Sequence, residues 1–476
     1  MTSSQPVVEP EYPENITVDW LEQQNVSEKP APYPLWGWAM RLITLCCLMT
    51  VIYLTIVTGL GYGDAMVVYS TLMPFHTLLV FFLAWIPFQT KLNTSTRGDL
   101  VSVIIPVYNQ VEMIETVIEA IINSTYCNLE VIAVDDGSKD GTGAILEELG
   151  KIYENLIVIR KPNGGKRTAV ERGFKASKGR YIVLIDSDSV VERNAIERII
   201  KALEANPRVG GAVGDGRIWN HQKNLLTKLQ SAWYDYSFNI HKKCESVFGN
   251  VLCLSGCLAA YRRESIEDYI PYWAESGIQY SDDRALTTYA VAEPWVKREL
   301  TRVSHRLMES MSKYDDADDR SLTAQALVTW QTIYVPTAVV YTDAPETLKK
   351  YLRQQLRWKK GYLRSNFFAS AFMWRKNPLM AFMFYIEFMA TFTSPLILLT
   401  VYFMAPIFLH DYFLPLLYLA GQVLVGLAAG LDYKAREAKA TNWKYNMLMN
   451  IFLSLFLVWL IFPAILTIRE KKWLTR

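Results

Sequence analysis

Apolar residues run almost unbroken near the two ends of this chain and come in short bursts through its middle. Leu42 to Leu60 is one long run and Ala65 to Ile86 a second, parted by the turn Gly61-Tyr62-Gly63-Asp64. About 20 residues at 1.5 Å each cross a hydrocarbon core of roughly 30 Å, so the pattern predicts two transmembrane helices within 36–88. Between 99 and 345 the rhythm changes. Val101–Val107, Leu129–Val134, Leu156–Arg160 and Tyr181–Ile185 are short β-rich runs separated by amphipathic helical stretches. That alternation predicts an α/β domain built on parallel strands. An amphipathic helix (346–377) then leads into three apolar segments within 378–468: Leu379–Phe408, Phe413–Leu431 and Tyr445–Ile468. Residues 1–35 are polar and proline-rich, lack the basic n-region of a signal peptide, and read as a disordered tail.

Charge orients these segments. The turn between the first two has no Lys or Arg, while Lys91 and Arg97 follow the second, so tail and middle domain are expected in the cytosol. The sequons at Asn15, Asn25 and Asn123 are then expected to stay unglycosylated. The loop Leu409-His410-Asp411 has no basic residue; the next loop carries Lys434, Arg436, Lys439 and Lys444, and the tail 469–476 carries Arg469, Lys471, Lys472 and Arg476. With basic stretches on both sides, Tyr445–Ile468 reads as re-entrant or interfacial, broken near Pro463 and lying against protein. One ordinary span with the C-terminus outside is the alternative. Glu387 lies inside the first of the three segments, where a carboxylate either faces a polar path or sits at headgroup depth. The expected location is the cell membrane, multi-pass, with the lipid bilayer as a partner.

Composition narrows the class. Of 476 residues, 51% are hydrophobic and 20% charged, with a formal net charge of +2. That is too apolar for an ordinary soluble enzyme and too charged for a transporter made only of helices. No basic stripe with interleaved aromatics appears, which argues against a nucleic-acid partner. The six cysteines show no metal-ligand spacing and read as reduced thiols.

Candidate chemistry falls at the ends of the strand-like runs, where ligands of open α/β sheets bind. Tyr108 follows the first run, Asp135-Asp136-Gly137-Ser138 the second, and Asp186-Ser187-Asp188 the fourth. Two carboxylates one residue apart leave a strand on the same side. Their oxygens suit a hard divalent ion, Mg²⁺ or Mn²⁺, that also grips a diphosphate. Alone, a D-x-D triplet more often caps a helix or holds a turn. The basic loop from Lys161 to Lys166-Arg167 opens a helix, which attracts phosphate, although a solvated charge run has the same composition. Gln354, Arg357 and Trp358 are spaced i, i+3, i+4 and share a helical face. Arg can clamp a diphosphate and Trp can stack on a sugar ring; an interfacial helix with Arg snorkelling satisfies the same pattern. The sequence D-D-R-x-L-T occurs twice, at Asp282-Asp283-Arg284 and at Asp318-Asp319-Arg320.

This ordered set of carboxylates, closed by Gln354-x-x-Arg357-Trp358, resembles the family 2 glycosyltransferases, in particular their processive, membrane-embedded branch. The likeness covers nearly all of 36–476. It implies a GT-A-type domain inserted between transmembrane helices, UDP-sugar donors and a growing polysaccharide acceptor. Tyr108 and Asp136, beside Asp135, would hold the uracil. Asp188, with Asp186 nearby, would hold the metal on the diphosphate, with Lys166 and Arg357 as further diphosphate contacts. In the family the base motif starts a short helix, followed by a strand and then the Q-x-x-R-W helix. The second D-D-R copy fits without a gap, with Ser321–Val328 as helix and Thr332–Tyr341 as strand. Asp319 is therefore the expected base, Asp283 the bystander, and roughly 265–315 an insertion. Val251–Leu254 would be a strand entering Ser255-Gly256-Cys257, which resembles the family's S-G-P turn beneath the acceptor, with Cys257 in place of proline. Asn224–Gln230 and the terminal Trp473-Leu474-Thr475-Arg476 are similar to hyaluronan synthases, whose usual ending W-G-T-R Leu474 departs from; Trp473 and Arg476 thereby join the expected site. The implied product is hyaluronan made from UDP-GlcNAc and UDP-GlcA. The same core also resembles chitin-oligosaccharide synthases and, more distantly, cellulose synthases. An inactive polymer-binding membrane scaffold is the alternative of another class.

Overall fold

The computed structural model describes residues 16–17, 32–59, 65–86, 90–275, 282–297, 329–438 and 440–469. Two helices lead in, α1 (Leu35–Gly59) and α2 (Ala65–Trp85). The middle domain begins with β1 (Val101–Val107), α3 (Ile114–Ile122), β2 (Leu129–Asp135), α4 (Thr142–Ile152), β3 (Leu156–Arg160), α5 (Lys166–Ala176) and β4 (Tyr181–Leu184). It continues through β5 (Ser189–Val191), α6 (Ala195–Ala205), β6 (Val209–Ile218), α7 (Leu225–Tyr236), β7 (Ala259–Arg262), α8 (Asp282–Val291) and β8 (Gln331–Thr342). All seven residues of β1 are buried, because helices cover both faces of the sheet and leave no solvent side to alternate with.

The eight strands lie in the order β3-β2-β1-β4-β7-β6-β8-β5. Strands β1 to β4 are mutually parallel, as the alternating pattern predicts. The other half is not. β7 runs antiparallel to β4 and β6, and β5 runs antiparallel to β8, so the sheet is mixed. Apolar runs mark a strand's existence but carry no direction; direction depends on the end from which the connection returns. A second correction concerns Val251–Leu254, which forms no strand. This irregular stretch is tied down by Val251 N to Thr332 O, Thr332 Oγ1 to Val251 O at 2.7 Å, and Leu254 N to Thr287 Oγ1 at 3.0 Å.

Helix α7 opens with a capping box: Asn224 Oδ1 accepts Thr227 N, and Thr227 Oγ1 accepts Asn224 N. It runs on into a π-helical turn, Ser237–Lys242. After β8 come α9 (Leu348–Met373), α10 (Pro378–Leu399), α11 (Phe413–Arg436), α12 (Tyr445–Leu455) and α13 (Ile461–Leu466). Three helical segments among the described residues are long and apolar enough to cross a membrane: Leu35–Val57, Pro378–Phe408 and Phe413–Arg436. Leu396, Phe403, Phe408 and Leu416 on them are exposed, which suits lipid and not water. The last apolar segment is broken by a 44° bend. The break falls at Phe456 (φ −112°), not at Pro463. Pro463 sits in the first turn of α13, where a missing N–H costs no helical hydrogen bond.

Charged residues join the membrane helices to the domain. Asp432, near the end of α11 and 1% exposed, accepts Arg41 Nε of α1 at 2.9 Å, Arg436 Nε at 2.8 Å and Tyr33 OH at 2.7 Å. Arg436 also grips Asp235 of α7 through Nη2, at 2.8 and 3.0 Å to its two oxygens. Gly430 allows the turn that leads into α12 to approach, since a Cβ there would lie 2.3 Å from Trp443 O. Removing one partner of a buried ion pair costs roughly 3–5 kcal/mol. Asp432→Ala, which strands Arg41, is therefore expected to lower the thermal midpoint in nanodiscs by several degrees; an unchanged midpoint would show that Arg41 reaches water instead.

Candidate active site

Register brings the strand ends together. Val107 pairs with Asp135 and Ile104 with Leu184, so Tyr108, Asp136 and Asp186 all emerge at one edge of the sheet. The loops after β1 and β2 are stitched by Asn109 N to Ser138 Oγ and Lys139 N to Asn109 Oδ1, each 2.9 Å. Asp135 is fully buried, accepts Ser138 N at 2.9 Å and pairs with Arg160 at 3.3 Å, so it shapes this loop from inside. Asp136 accepts Gly164 N at 2.9 Å, Gly165 N at 2.7 Å and Lys161 Nζ. The amide groups just before α5, which the sequence offers to phosphate, thus hold a carboxylate of the protein itself.

Beside them lies a pocket enclosing about 310 Å³, its open mouth included, with Lys166, Asp186, Gly256, Trp273, Asp282 and Asp283 on its wall. Lys166 pairs with Asp186, and Arg167 pairs with Asp282 while its guanidinium lies over the Trp273 ring. Burial works against the Lys166 charge, but Asp186, Asp283 and Asp282 outweigh it and hold the pKa above the usual lysine value. Asp186 N donates to Gly256 O at 2.9 Å, and Gly256 N donates to Asp283 Oδ2 at 3.1 Å. The turn Ser255-Gly256-Cys257 therefore ties the backbone at Asp186 to the Asp283 carboxylate. Lys242, from the π-helical turn, supports it from below through Cys253 O and Ser255 Oγ (3.0 Å). Cys257 is buried against Gly216, and burial pushes its thiol up.

The first D-D-R copy thus lies on the pocket, where spacing made it the bystander. Asp318, Asp319, Arg320 and the expected helix Ser321–Val328 lie outside the described residues, as do Trp473, Leu474 and Arg476. Helix α9 carries Gln354, Arg357 and Trp358 as expected. Trp358 stacks on Trp233 of α7, centroids 5.6 Å apart and 21° between planes, so one face of its ring is already covered. The neighbouring Tyr234 has its phenol pushed well above the usual value by burial and by Cys257, Asp188, Asp186 and Asp283. Helix α7 therefore links the carboxylate pocket to the Q-x-x-R-W helix.

Asp188 accepts Ser189 Oγ at 3.2 Å. Among the described residues no three His, Cys, Asp or Glu side chains converge on one point. Two strand-end carboxylates nevertheless fit a hard cation that completes its oxygen shell from a diphosphate and water. At the end of β8, Asp343 is pushed up to about 6 by burial and by Asp188 and Glu346, and accepts Asn220 Nδ2 at 2.5 Å.

Residues 102–270 match the family model for glycosyl transferase family 2. The chain carries a family 2 glycosyltransferase domain. It is 32% identical over 273 residues to the hyaluronan synthase of Streptococcus pyogenes, covering 56% of this chain and 58% of that synthase. It is 24% identical over 288 residues to the poly-β-1,6-N-acetyl-D-glucosamine synthase of Staphylococcus epidermidis, covering 60% of each. The chain therefore spans somewhat over half the length of these relatives. A mannosyltransferase from Pyrobaculum calidifontis, solved with GDP-Man and Mn²⁺, aligns with a TM-score of 0.50 at 16% identity over 88% of this chain and 98% of that one. That likeness gives the fold, a GT-A-like glycosyltransferase fold with a mixed sheet.

Sequence reading named Arg167 only as part of the basic loop, and it missed Trp273 on the pocket wall and Tyr234, Lys242 and Asp343 around it. Trp273 and Tyr234 read as ordinary core residues by pattern, and Lys242 and Asp343 belong to none of the motifs. Gly256 is demanded by the pocket, because a Cβ there would stand 3.0 Å from Asp186 Oδ1 and Lys166 Nζ. Gly256→Ala should displace both by a few tenths of an ångström; since misplacement on the order of 1 Å can cost about 100-fold, the expected loss is roughly tenfold. We expect a drop of that order in turnover with the fold intact by circular dichroism; wild-type turnover would show that the turn yields freely.

Proposed function

We propose that this protein is a membrane-embedded, processive, inverting glycosyltransferase. It would take sugars from UDP donors in the cytosol, add them to a growing polysaccharide and pass the polymer out through the flanking helices. The observation that carries this reading is the pocket itself. Lys166, Asp186, Gly256 and Asp283 meet at the sheet edge, with Tyr234 and Trp233 leading from it to Trp358.

The roles are those that the family resemblance implies for these residues. Tyr108 and Asp136 would receive the uracil at the ends of β1 and β2. Asp188, with Asp186, would hold Mg²⁺ or Mn²⁺, which supplies Lewis-acid stabilisation to the departing UDP. Lys166 would turn from Asp186 to the diphosphate when the donor enters, while Arg357 and Gln354 approach from α9 and Trp358 offers its open face to a sugar. Trp473 and Arg476, outside the described residues, would close the site from the cytosolic side. For the base we favour Asp283, because its carboxylate faces the Lys166–Asp186 pair and is fixed by Gly256 N at 3.1 Å; Asp319, favoured by spacing, is its rival in the test. The base takes the proton of the acceptor hydroxyl as that oxygen attacks the anomeric carbon opposite the diphosphate. One displacement inverts the centre, and general-base assistance is worth about 10²–10⁴ in rate.

For the product we favour hyaluronan, from UDP-GlcNAc and UDP-GlcA, on the identity to the streptococcal synthase and on Asn224–Gln230. A homopolymer of N-acetylglucosamine is the second reading. Lys161, Lys166 and Arg167 are each already paired with a carboxylate, so no cation of this loop is assigned to a glucuronate. For topology we favour a cytosolic domain and C-terminus at the plasma membrane, with the bent segment 445–466 re-entrant.

The test supplies UDP-GlcNAc and UDP-GlcA, separately and together, with Mg²⁺ or Mn²⁺, to the full chain in nanodiscs, and reads UDP release and polymer. Polymer that requires both donors and is cut by hyaluronidase supports the first product; polymer from UDP-GlcNAc alone, resistant to hyaluronidase, establishes the second. In the same assay Asp283→Asn should lose about 100-fold or more and Asp319→Asn little. The reverse result would return the base to Asp319, and no UDP release under any condition would favour a scaffold.

A further inference from the structure

Asp283 and Arg284 are neighbours in the first turn of α8, yet their side chains serve different parts of the molecule, since successive helical residues point about 100° apart. Asp283 turns to Gly256 and the pocket. Arg284 turns to helix α9, where its guanidinium lies over the Tyr362 ring, 4.9 Å from the centroid, and Nη2 donates to Asn366 Oδ1 at 2.9 Å. Its Nε is buried with no hydrogen-bond partner. Tyr362 lies one helical turn beyond Trp358, and Asn366 one turn beyond Tyr362. Thr391 Oγ1 of α10 donates to Glu387 O at 3.1 Å and stands 3.3 Å from Tyr362 OH, whose proton it can accept. A continuous set of contacts therefore runs from a membrane helix, through the Q-x-x-R-W helix, to the residue next to the pocket carboxylate.

We propose that Arg284 is a positioning residue of the transfer step: it clamps α8 to α9 and so fixes Asp283 relative to an acceptor hydroxyl. The proposal rests on the reading of Asp283 as the base. An arginine suits the task because its planar cation can lie on a ring and donate in its own plane at the same time. Threonine hydroxyls hold the rest of the turn, with Thr287 Oγ1 donating to Asp283 O at 2.7 Å and Thr288 Oγ1 to Arg284 O at 2.6 Å. Loss of the clamp thus frees the angle of α8 without unwinding it. A water molecule can reorient to meet a displaced carboxylate; the hydroxyl of a polymer held elsewhere cannot. Transfer should therefore suffer more than donor hydrolysis.

The experiment measures, for the full chain in nanodiscs, kcat for sugar incorporation, KM for the UDP-sugar, and UDP release without acceptor. Arg284→Gln is expected to lower kcat for transfer about tenfold or more while KM shifts less than about twofold, and to raise the ratio of hydrolysis to transfer. Arg284→Lys, which keeps the charge, should recover part of the loss. Tyr362→Phe, which keeps the ring, should lose less than Tyr362→Ala. If Arg284→Gln does not fold, Tyr362→Ala carries the same expectation by removing the platform. Transfer and hydrolysis falling in equal proportion would mark the contact as merely structural and overturn the proposal. An inactive Asp283→Asn beside a wild-type-like Arg284→Gln would overturn the role of Arg284 alone. A fully active Asp283→Asn would overturn the base assignment and this inference with it.

Discussion

Asp186, Asp188, Asp282 and Asp283 crowd one end of the sheet, and the rest of the site follows from the need to keep them there. Two like charges 4 Å apart repel by about 1 kcal/mol in water and about 4 kcal/mol near a protein surface. Lys166 and Arg167, consecutive at the start of α5, each answer one carboxylate, Asp186 and Asp282. That leaves negative charge in excess, and the excess is felt nearby: Tyr234 and Asp343 both hold their protons more tightly because of burial and these neighbours. A protein that only needed a stable core would not gather such groups. A site that receives a divalent cation together with a diphosphate has reason to.

The fold supplies the crowding cheaply because parallel strands end at a common edge, so residues far apart in sequence arrive together without long side chains. The mixed half of the sheet then does a different task. β7 running antiparallel between β4 and β6 puts the turn at Gly256 directly beside Asp186. Helix α7 and its π-helical turn reach both ways, with Lys242 under the turn, Tyr234 at the carboxylates, Trp233 on Trp358 and Asp235 on Arg436. The buried charges at Asp432 extend this connection to α1 and α11. Domain and membrane helices are thereby one mechanical unit.

Sequence alone revealed what repeats at short range. The apolar runs located β1 and β3 to the residue and the other expected parallel strands within a residue, while the break of the last segment, expected near Pro463, lies at Phe456. It could not give strand direction, because direction is decided by connections dozens of residues long. Nor could it choose between the two D-D-R copies by three-dimensional position. Spacing to the Q-x-x-R-W helix favoured Asp319, whereas the contacts of Asp283 with Gly256 and of Arg284 with Tyr362 depend on how α8 packs, which spacing does not encode. The helix start at Lys166 looked like a phosphate cradle, and its amides instead hold Asp136, since an internal carboxylate offers those donors the same charge as a ligand would.

Paired carboxylates at this sheet edge suit a diphosphate and a divalent cation bound together. Titration calorimetry of UDP into the full chain in nanodiscs tests this most directly, with Mn²⁺ present and with Mn²⁺ removed by a chelator. Binding is expected to depend on the cation and to be lost in Asp188→Asn. Equal affinity with and without the cation, unaffected by Asp188→Asn, would contradict this.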